Sequence, residues 1–342
     1  MREPSWWYGS APGWQAAALA PASHLYGFIA QRRYLRASPV RPERPVICVG
    51  NFTAGGTGKT PMSLLLAAVI RDAGREPWFL SRGYGGRDAG PTRVDRKIHT
   101  AAEVGDEPLL LAQTAPTVVA RNRRDGVAYI SREAPRHAVI IMDDGLQNPA
   151  IAKDLSIAIV DGRRGFGNGC VIPSGPLRAP LAFQSSLADC LVVVGQNAAR
   201  YPPSLAAFLS ASRCPIIAAE TQPVGDTTWL RDRPVIAYAG IANPQRFFAM
   251  LERLGARLVS RHVFADHEPY SQASAAALLA QAQAHNATLV TTEKDLARLQ
   301  GSADRIAELL QASKTLAITL SFDETDGAIL KRLVNAALVK RG

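Results

Sequence analysis

The sequence predicts an α/β protein in which a mostly parallel sheet is flanked by helices. Two observations predict this fold class. Short β-branched runs recur along the chain, and segments with helical patterns alternate with them. Such alternation is typical of parallel strands joined by helical crossovers. Composition agrees, since 47% of the 342 residues are apolar and 20% are charged, as in folded globular proteins.

The clearest predicted element is a strand, a loop and a helix near the start of the chain. Val46–Val49 is typical of a buried strand, and the apolar segment Met62–Val69 is typical of a helix. A glycine-rich loop ending in Gly-Lys-Thr joins them, which is the context of a phosphate-binding P-loop. Backbone N–H groups of such a loop surround phosphate oxygens. The predicted nucleotide-binding residues are Thr53, Ala54, Gly55, Gly56, Thr57, Gly58, Lys59 and Thr60.

Two side chains of this loop have predicted roles of their own. Lys59 is expected to contact the β- and γ-phosphates of ATP, and the Thr60 hydroxyl is expected to bind Mg²⁺. Thr53 departs from the general motif, which has a small residue, usually Gly or Ala, at that position. The sequence therefore predicts a P-loop NTPase core that uses ATP and Mg²⁺.

A second strong motif follows the apolar run Ala138–Met142. Asp143 and Asp144 come directly after this predicted strand, as the acid of a Walker B motif does. Mg²⁺ prefers oxygen ligands, and a carboxylate opposite the P-loop hydroxyl would supply one. The spacing leaves open which of the two carboxylates binds the metal directly and which binds through water.

Three weaker signals each have a plain structural alternative. Asp106 and Glu107 begin a predicted helix, where acidic residues are favourable whatever the function. The basic cluster Arg121–Arg124 follows a predicted strand, and it fits either a phosphate clamp or a solvated group of charges. Asp266 and His267 lie in a predicted loop, as an acid/base element or as an ordinary surface turn.

Residues 1–40 form a distinct N-terminal region that is rich in aromatic residues and ends in basic ones. No apolar run approaches the roughly 20 residues of a spanning helix. Two interpretations fit: an amphipathic helix at the surface of an anionic membrane, or a helix packed on its own domain. Residues 41–220 are predicted to form the nucleotide-binding core. Residues 221–342 are predicted to form a smaller C-terminal α/β lobe.

Charge and cysteine content narrow the classes of partner. The formal net charge of +10 favours an anionic partner such as a nucleotide, a phosphorylated substrate or a phospholipid surface. The basic residues are dispersed, and no nucleic-acid recognition module is visible, so no nucleic-acid partner is expected. The four cysteines are predicted to be free thiols of a reducing compartment, since none forms a CxxC motif. Nothing in the sequence indicates an oligomeric state.

Seven motifs in this order resemble one family, tetraacyldisaccharide 4′-kinase, the lipid A 4′-kinase of Gram-negative bacteria. They are VGNFTAGGTGKTP, SRGYGG, VGDEP, DDGLQ, IPSGPLR, FADHEPY and TTEKD. The first is the most diagnostic, because Thr53 is typical of this family's P-loop. Ala179 is a departure, since an acid is expected after GPLR, and it leaves any carboxylate role at that position in doubt.

The resemblance implies an activity and a location. It implies transfer of the ATP γ-phosphate to the 4′-hydroxyl of a tetraacylated glucosamine disaccharide 1-phosphate, which yields lipid IVA. It also implies that the reaction takes place at the cytoplasmic face of the bacterial inner membrane. The N-terminal helix then becomes an interfacial anchor of a peripheral enzyme.

The resemblance also implies roles for individual residues. Asp106 becomes the candidate base for the sugar hydroxyl, and His267 becomes its partner, which orients it or shares the proton. Asp143 and Asp144, with Gln147, would organise Mg²⁺. Arg123 would contact substrate phosphate or developing charge. Tyr84 and the TTEKD segment are possible contacts of the nucleotide.

Another class of function also fits the P-loop. A switch NTPase whose nucleotide state controls a protein partner would carry the same loop, but it gives no reason for the aromatic N-terminus. Slow hydrolysis that responds to a protein partner and not to lipid would favour it.

Overall fold

The computed structural model describes residues 3–9, 11–195 and 198–339. Residues 1, 2 and 10 of the predicted N-terminal region, and residues 340–342 of the predicted C-terminal lobe, lie outside the described part. The chain divides into two compact units. Of the described residues, the P-loop unit contains those within 3–82, 120–221 and 320–339, and the smaller unit contains 83–119 and 222–319.

Thirteen strands occur in the described residues. In chain order they are β1 (Val46–Asn51), β2 (Glu76–Ser81), β3 (Thr92–Arg93), β4 (Thr117–Val119), β5 (Ala138–Asp143), β6 (Leu155–Asp161), β7 (Cys190–Val194), β8 (Ile216–Pro223), β9 (Pro234–Ala239), β10 (Arg257–Val263), β11 (Thr288–Thr292), β12 (Ser313–Leu316) and β13 (Ile318–Ser321).

Twelve α-helices and three short 3₁₀ turns accompany these strands in the described residues. The helices are α1 (Trp14–Leu35), α2 (Lys59–Asp72), α3 (Ala101–Val104), α4 (Asp106–Leu111), α5 (Arg123–Glu133), α6 (Leu181–Ser185), α7 (Pro203–Ala211), α8 (Pro244–Arg253), α9 (Gln272–Ala284), α10 (Glu293–Leu299), α11 (Asp304–Ala312) and α12 (Glu324–Val339). The 3₁₀ turns are Ser5–Tyr8, Ala198–Arg200 and Thr228–Leu230.

The P-loop unit is built on parallel strands in the order β8-β7-β6-β1-β5-β2. Every residue of β1, β5 and β6 is buried, as expected for strands covered on both faces. β1 and β5 are neighbours, and Val49 lies opposite Asp143 in their register. The carboxyl ends of both strands therefore meet at one edge of the sheet, where ligands bind in folds of this class.

The smaller unit contains a parallel sheet of its own, in the order β10-β9-β11-β12. Apolar clusters cover it: one includes Phe248 and Leu251 of α8, and another includes Leu278 of α9 and Leu299 of α10. The predicted α/β fold with a second, smaller α/β body is confirmed.

The division into units differs from the linear boundaries expected at residues 40 and 220. Residues 83–119, expected in the core, group with 222–319, and the final helix α12 groups with the P-loop unit. The reason is that α12 packs on α2, β1 and β6, while α4 packs on α10. These contacts join segments that are distant in sequence.

The N-terminal region has two parts with different surroundings, both in the P-loop unit. The turn Ser5–Tyr8 packs against its own unit, since the Trp7 ring nitrogen donates to the Pro173 carbonyl at 3.1 Å. Helix α1 buries only small residues, namely Ala16, Ser23 and Gly27. The Ser23 hydroxyl donates to the Val171 carbonyl at 2.7 Å.

The large apolar side chains of α1 point the other way. Trp14 is 77% exposed and Leu35 is 68% exposed; the other members of this exposed face are Leu25, Phe28 and Ile29. At 3.6 residues per turn these five side chains lie within an arc of about 120°, opposite the buried small residues. Among the described residues, no helix has both the length and the apolar character needed to cross a bilayer.

All four cysteines are free thiols. Cys48 and Cys190 are buried, so burial raises the pKa of Cys48 to about 11 and that of Cys190 to about 12. They are structural thiols of strands β1 and β7.

Candidate active site

The P-loop connects the end of β1 to the start of α2. Gly55 and Gly58 have φ values of +92° and +98°, a region that a side chain would strain. The Asn51 side chain spans the loop, because its amide nitrogen donates to the Gly55 carbonyl at 3.3 Å and its oxygen accepts from Lys59 Nζ at 3.4 Å. Asn51 therefore ties the loop to Lys59 at the N-terminus of α2, where partial positive charge favours phosphate.

The entry to the loop is fixed by the IPSGPLR segment. The Ala54 N–H donates to the Pro176 carbonyl at 2.7 Å, and Arg178 Nε donates to the Thr53 carbonyl at 3.0 Å. Thr53 is buried and forms an antiparallel bridge to Leu177. These contacts fix the backbone of Thr53 beside the loop and do not involve its side chain.

Asp143 ends β5 with its carboxylate aimed at the P-loop helix. Its Oδ1 accepts from the hydroxyl of Ser63, on α2, at 3.0 Å, and both residues are buried. Arg123 lies behind it: Nη2 donates to the Asp143 carbonyl at 3.3 Å and Nη1 donates to the Ala120 carbonyl at 2.7 Å. Arg123 is only 3% exposed. This geometry favours a role in positioning Asp143 and lends no direct support to the predicted contact with substrate phosphate.

Asp144 lies between two cations. Arg178 Nη1 donates to both carboxylate oxygens at 2.9 and 3.1 Å, and Lys59 Nζ is 3.8 Å away. Burial alone would raise the pKa of Asp144, but Lys59 and Arg178 lower it to about 2. Its backbone φ of +49° is unusual for a residue other than glycine, and it turns the side chain toward these partners.

The donor set near the P-loop fits Mg²⁺. Asp143, Asp144 and the Thr60 hydroxyl supply hard oxygen atoms, the type that Mg²⁺ prefers. The amide nitrogen of Gln147 donates to the Asn51 carbonyl at 2.8 Å and to Gln184 at 2.7 Å. Its amide oxygen is the atom that could bind Mg²⁺. When bound, the metal would neutralise charge on the β- and γ-phosphates.

A second cluster of titratable residues lies within the smaller unit. His267 Nδ1 is 3.2 Å from Asp106 Oδ2, so the two residues that FADHEPY and VGDEP contribute form a contact pair. Asp106 begins α4 and is 3% exposed. His267 has a φ of +62°, a strained conformation for this residue type and one that is frequent at functional sites. The Tyr84 ring packs edge-on against His267 at 4.9 Å between centroids.

Two cations of α10 contact this pair. Arg298 Nε donates to Asp106 Oδ2 at 2.5 Å, and Lys294 Nζ lies 3.3 Å from His267 Nε2. They are four residues apart and so lie on one face of the helix. Thr292 caps this helix by accepting from the Asp295 N–H at 3.1 Å.

The charges of the cluster keep Asp106 ionised. Burial would raise the pKa of Asp106, but Lys294, His267 and Arg298 hold it well below its ordinary value. Burial would likewise lower the pKa of Lys294, but the carboxylates of Glu107, Asp106 and Asp266 raise it above its ordinary value. At neutral pH the cluster therefore presents a carboxylate beside an ammonium and a guanidinium.

A cavity of about 270 Å³ opens beside the pair. Asp106, His267, Arg298, Tyr84, Tyr270 and Ile306 are among its lining residues. A space lined by both polar and apolar groups suits a sugar, which presents hydroxyls at its edge and C–H groups on its face.

Sequence reasoning missed several of these residues. The sequence assigns no role to Arg178 or Arg298, and it assigns Lys294 only a possible nucleotide contact as part of TTEKD. Ser63 and Glu107 were read only as parts of helices. A basic residue three after TTEKD is the one sequence signal for Arg298; its partner Asp106 is 192 positions away, so the contact could not be read from spacing.

Comparison with known proteins gives a family match over most of the chain. The model of the family described as LpxK, tetraacyldisaccharide-1-P 4′-kinase, matches residues 15–336.

Curated relatives named tetraacyldisaccharide 4′-kinase are similar over nearly their whole length. One from Bradyrhizobium sp. (strain BTAi1) is 49% identical over 302 residues, covering 88% of this chain and 86% of the relative. Another from Bradyrhizobium sp. (strain ORS 278) is 44% identical over 340 residues, covering 98% and 99%. A third from Allorhizobium ampelinum is 46% identical over 343 residues, covering 98% and 97%.

A solved structure shares the fold. The crystal structure of LpxK from Aquifex aeolicus in complex with ATP has a TM-score of 0.72 and 24% sequence identity. The match covers 94% of this chain and 99% of that one.

Proposed function

The chain belongs to the tetraacyldisaccharide-1-P 4′-kinase family, and on that premise we propose that it transfers the γ-phosphate of ATP to the 4′-hydroxyl of a tetraacylated glucosamine disaccharide 1-phosphate. The product is lipid IVA, an intermediate of lipid A. The protein is a kinase.

The P-loop supports the nucleotide half of the reaction. Its backbone and Lys59 bind the β- and γ-phosphates, and Thr60, Asp143 and Asp144 hold Mg²⁺, with Gln147 as a further oxygen donor. Phosphoryl transfer needs positioning and charge neutralisation more than covalent chemistry. Arg178 keeps Asp144 ionised, so that its carboxylate would be available to hold Mg²⁺, and Arg123 fixes the end of β5.

The Asp106–His267 pair is the observation that carries the proposal. A P-loop alone also occurs in NTPases that transfer phosphate only to water. A buried carboxylate kept ionised next to a histidine and a sugar-sized cavity supplies a base for an alcohol acceptor. Asp106 takes the proton of the 4′-hydroxyl as the oxygen attacks phosphorus, and ADP leaves.

The decisive assay uses radiolabelled γ-ATP, Mg²⁺ and tetraacyldisaccharide 1-phosphate in detergent micelles, with products separated by thin-layer chromatography. We expect a labelled lipid with one more phosphate than the substrate. ATP hydrolysis without labelled lipid would contradict the proposal and favour a switch NTPase. A reaction with Asp106→Ala protein is the matched control, since it retains the P-loop.

Helix α1 supports attachment to an anionic membrane surface at the cytoplasmic face of the inner membrane. Its exposed face carries Trp14, Leu25, Phe28, Ile29 and Leu35 away from the unit it packs on. Arg32 lies over the Phe28 ring at 5.6 Å, and Arg33 and Arg36 follow, so cations border the apolar face. Apolar area and basic charge together favour binding to anionic headgroups.

Vesicle flotation tests the membrane contact. Wild-type protein should float with vesicles that contain anionic lipid, and Phe28→Glu with Ile29→Glu should abolish flotation without lowering the melting temperature, because both side chains are exposed. The control Gln15→Glu adds a negative charge to the same helix about 40° outside the arc of the five apolar side chains. Equal flotation of wild type and the double variant would refute the contact.

A further inference from the structure

We propose that Lys294 holds His267 in its Nδ1–H tautomer, so that Asp106 Oδ1 is the atom that accepts the substrate proton and His267 orients the base. The inference deepens the proposed function and rests on it. Lys294 and His267 are then positioning residues, and Asp106 is the catalytic one.

The two ring nitrogens of His267 have different neighbours. Nδ1 lies 3.2 Å from Asp106 Oδ2. Nε2 lies 3.3 Å from Lys294 Nζ and 3.7 Å from Asp266 Oδ1, so the ammonium is its nearer polar neighbour. Nδ1 therefore faces a carboxylate, whereas the nearest polar neighbour of Nε2 is a cation, with the Asp266 carboxylate farther away.

These neighbours select one neutral tautomer. A lysine ammonium has three donors and no acceptor, so Nε2 can bond to Lys294 only by accepting through its lone pair. The proton of the neutral ring then resides on Nδ1, where it is donated to Asp106 Oδ2. The opposite tautomer would place an N–H against the ammonium and a lone pair against the carboxylate, which is unfavourable at both nitrogens.

Lys294 is itself fixed in this position. Its ammonium lies 3.2 Å from Glu107 Oε1 and 3.5 Å from Asp266 Oδ1. These carboxylates, with Asp106, raise its pKa, so it remains a pure donor across the working pH range. The capped N-terminus of α10 holds its backbone.

The arrangement assigns different tasks to the two oxygens of Asp106. Oδ2 accepts from Arg298 Nε at 2.5 Å and contacts His267 Nδ1. Oδ1 accepts the Glu107 backbone N–H at 2.8 Å and, with two lone pairs, retains capacity for one more donor. The substrate hydroxyl therefore approaches Oδ1.

The transfer step balances on these atoms. The oxygen of the 4′-hydroxyl forms a bond to the γ-phosphorus while the bond from that phosphorus to the bridging oxygen of ADP breaks. The proton of the hydroxyl passes to Asp106 Oδ1. His267 Nδ1 already carries a proton and receives none in this step.

Nitrogen NMR on the full chain with ¹⁵N-labelled histidine rings tests the assignment. His267→Gln identifies the resonances of this ring among the six histidines. At pH values where the ring is neutral, wild-type protein should show a proton on Nδ1 and an unprotonated Nε2. Finding the proton on Nε2 would overturn the proposal.

Two substitutions at position 294 form a matched pair. Lys294→Arg keeps a donor-only group and should retain the Nδ1–H tautomer. Lys294→Gln offers both a donor and an acceptor, so both tautomers should appear. Arg305→Gln, at an exposed cation of α11 in the same unit, should change neither. A ring tautomer that is unchanged in Lys294→Gln would overturn the proposal. If the glutamine variant folds poorly, Lys294→Arg still tests it, because loss of the Nδ1–H tautomer in that variant would also overturn the proposal.

Kinetics add a second readout. Lys294→Gln should lower kcat by about tenfold with little change in KM for ATP. This loss is a part of the rate enhancement of about 10²–10⁴-fold that a positioned base contributes. Wild-type protein that phosphorylates no lipid would defeat the proposed function, whereas the NMR result would still decide the tautomer. The two failures are therefore distinguishable.

Discussion

The two titratable sites hold a carboxylate in the same charge state by different means. Asp144, next to the P-loop, is partly exposed, with 31% of its side chain accessible, and its cations are the side chains of Lys59 and Arg178. Asp106, in the smaller unit, is 3% exposed, and its partner Arg298 is 4% exposed. Both carboxylates have lowered pKa values because cations outweigh burial.

This difference in burial separates a site whose contacts can be exchanged, at Asp144, from a site whose contacts are fixed, at Asp106. The cations around Asp144 also suit phosphate oxygens, so nucleotide and metal can take over their contacts. Arg298 donates in addition to the Gly240 carbonyl at 2.6 Å and to Asp295 at 3.0 Å, which ties it to its own unit. We infer that the first site is arranged to change partners during binding, and the second to keep its geometry through the reaction.

The largest expected effect is at the fixed site. Asp106→Ala and His267→Ala should each lower kcat far more than they lower ATP affinity, by about 10²–10⁴ for the base. Because His267 acts through Asp106, the double variant should be little worse than Asp106→Ala. Single-turnover rates and ATP binding by calorimetry measure the two quantities.

Additive losses in that series would mean that the two residues act separately. Melting temperatures accompany the kinetics, because Asp106→Ala leaves the buried Arg298 with less counter-charge and costs stability.

Lys59→Ala tests the exchangeable site. It should lower kcat/KM for ATP by about 10²–10³, since it removes a phosphate clamp that acts in a site with little water. In contrast to the Asp106 variant, direct ATP binding should weaken as well. Lys331→Ala, at an exposed lysine of α12, is the control, and an unchanged affinity for ATP in Lys59→Ala would contradict the assignment.

Ser63→Ala tests the orientation of the metal ligand Asp143. Loss of the 3.0 Å hydrogen bond should raise the Mg²⁺ concentration for half-maximal rate by about tenfold, in the range seen when support of a metal ligand is removed. Activity titrated with Mg²⁺ measures this effect. Ser210→Ala, on an exposed face of α7, should leave the titration unchanged; the same curve for both variants would refute the role of Ser63.

The smallest expected effect is the pH dependence of stability at Asp144. Its pKa is lowered from 3.8 to about 2, so its contribution is present above pH 4 and is lost as pH falls from 4 toward 2. Asp144→Asn should therefore show a smaller drop in melting temperature between pH 5 and pH 3 (set by those pKa values) than wild type. Asp72→Asn, at an exposed position of α2, should behave as wild type does.

The sequence predicted local elements well where the residues of one segment are sufficient to determine its conformation. β1, the P-loop and α2 follow directly from an apolar run, glycines and a helical pattern, and the structure places them at Val46–Asn51 and Lys59–Asp72. The Thr292 cap of α10 is equally local, because both partners lie within four residues.

Arg123 and the TTEKD segment show that side-chain contacts could not be predicted from local sequence in the same way. Arg123 follows a strand, as a phosphate clamp would, yet its guanidinium is directed into its own unit at two backbone carbonyls. TTEKD stays a predicted contact of the nucleotide, and no sequence pattern indicated the contact between Lys294 and His267. Side-chain direction depends on which helix packs on which strand, and spacing along one segment does not carry that information.

By itself the sequence determined the α/β class, the P-loop, the acidic end of β5 and the family. The P-loop and the acidic end of β5 each rest on one short continuous stretch, and the fold class and the family rest on a series of such stretches in order along the chain. Only the tertiary structure decided that residues 83–119 join 222–319, that Asp106, His267, Lys294 and Arg298 form one charged cluster, and which face of α1 is exposed. The physical reason is that these features arise from packing between segments far apart in the chain, where burial and charge balance select contacts that no local pattern encodes.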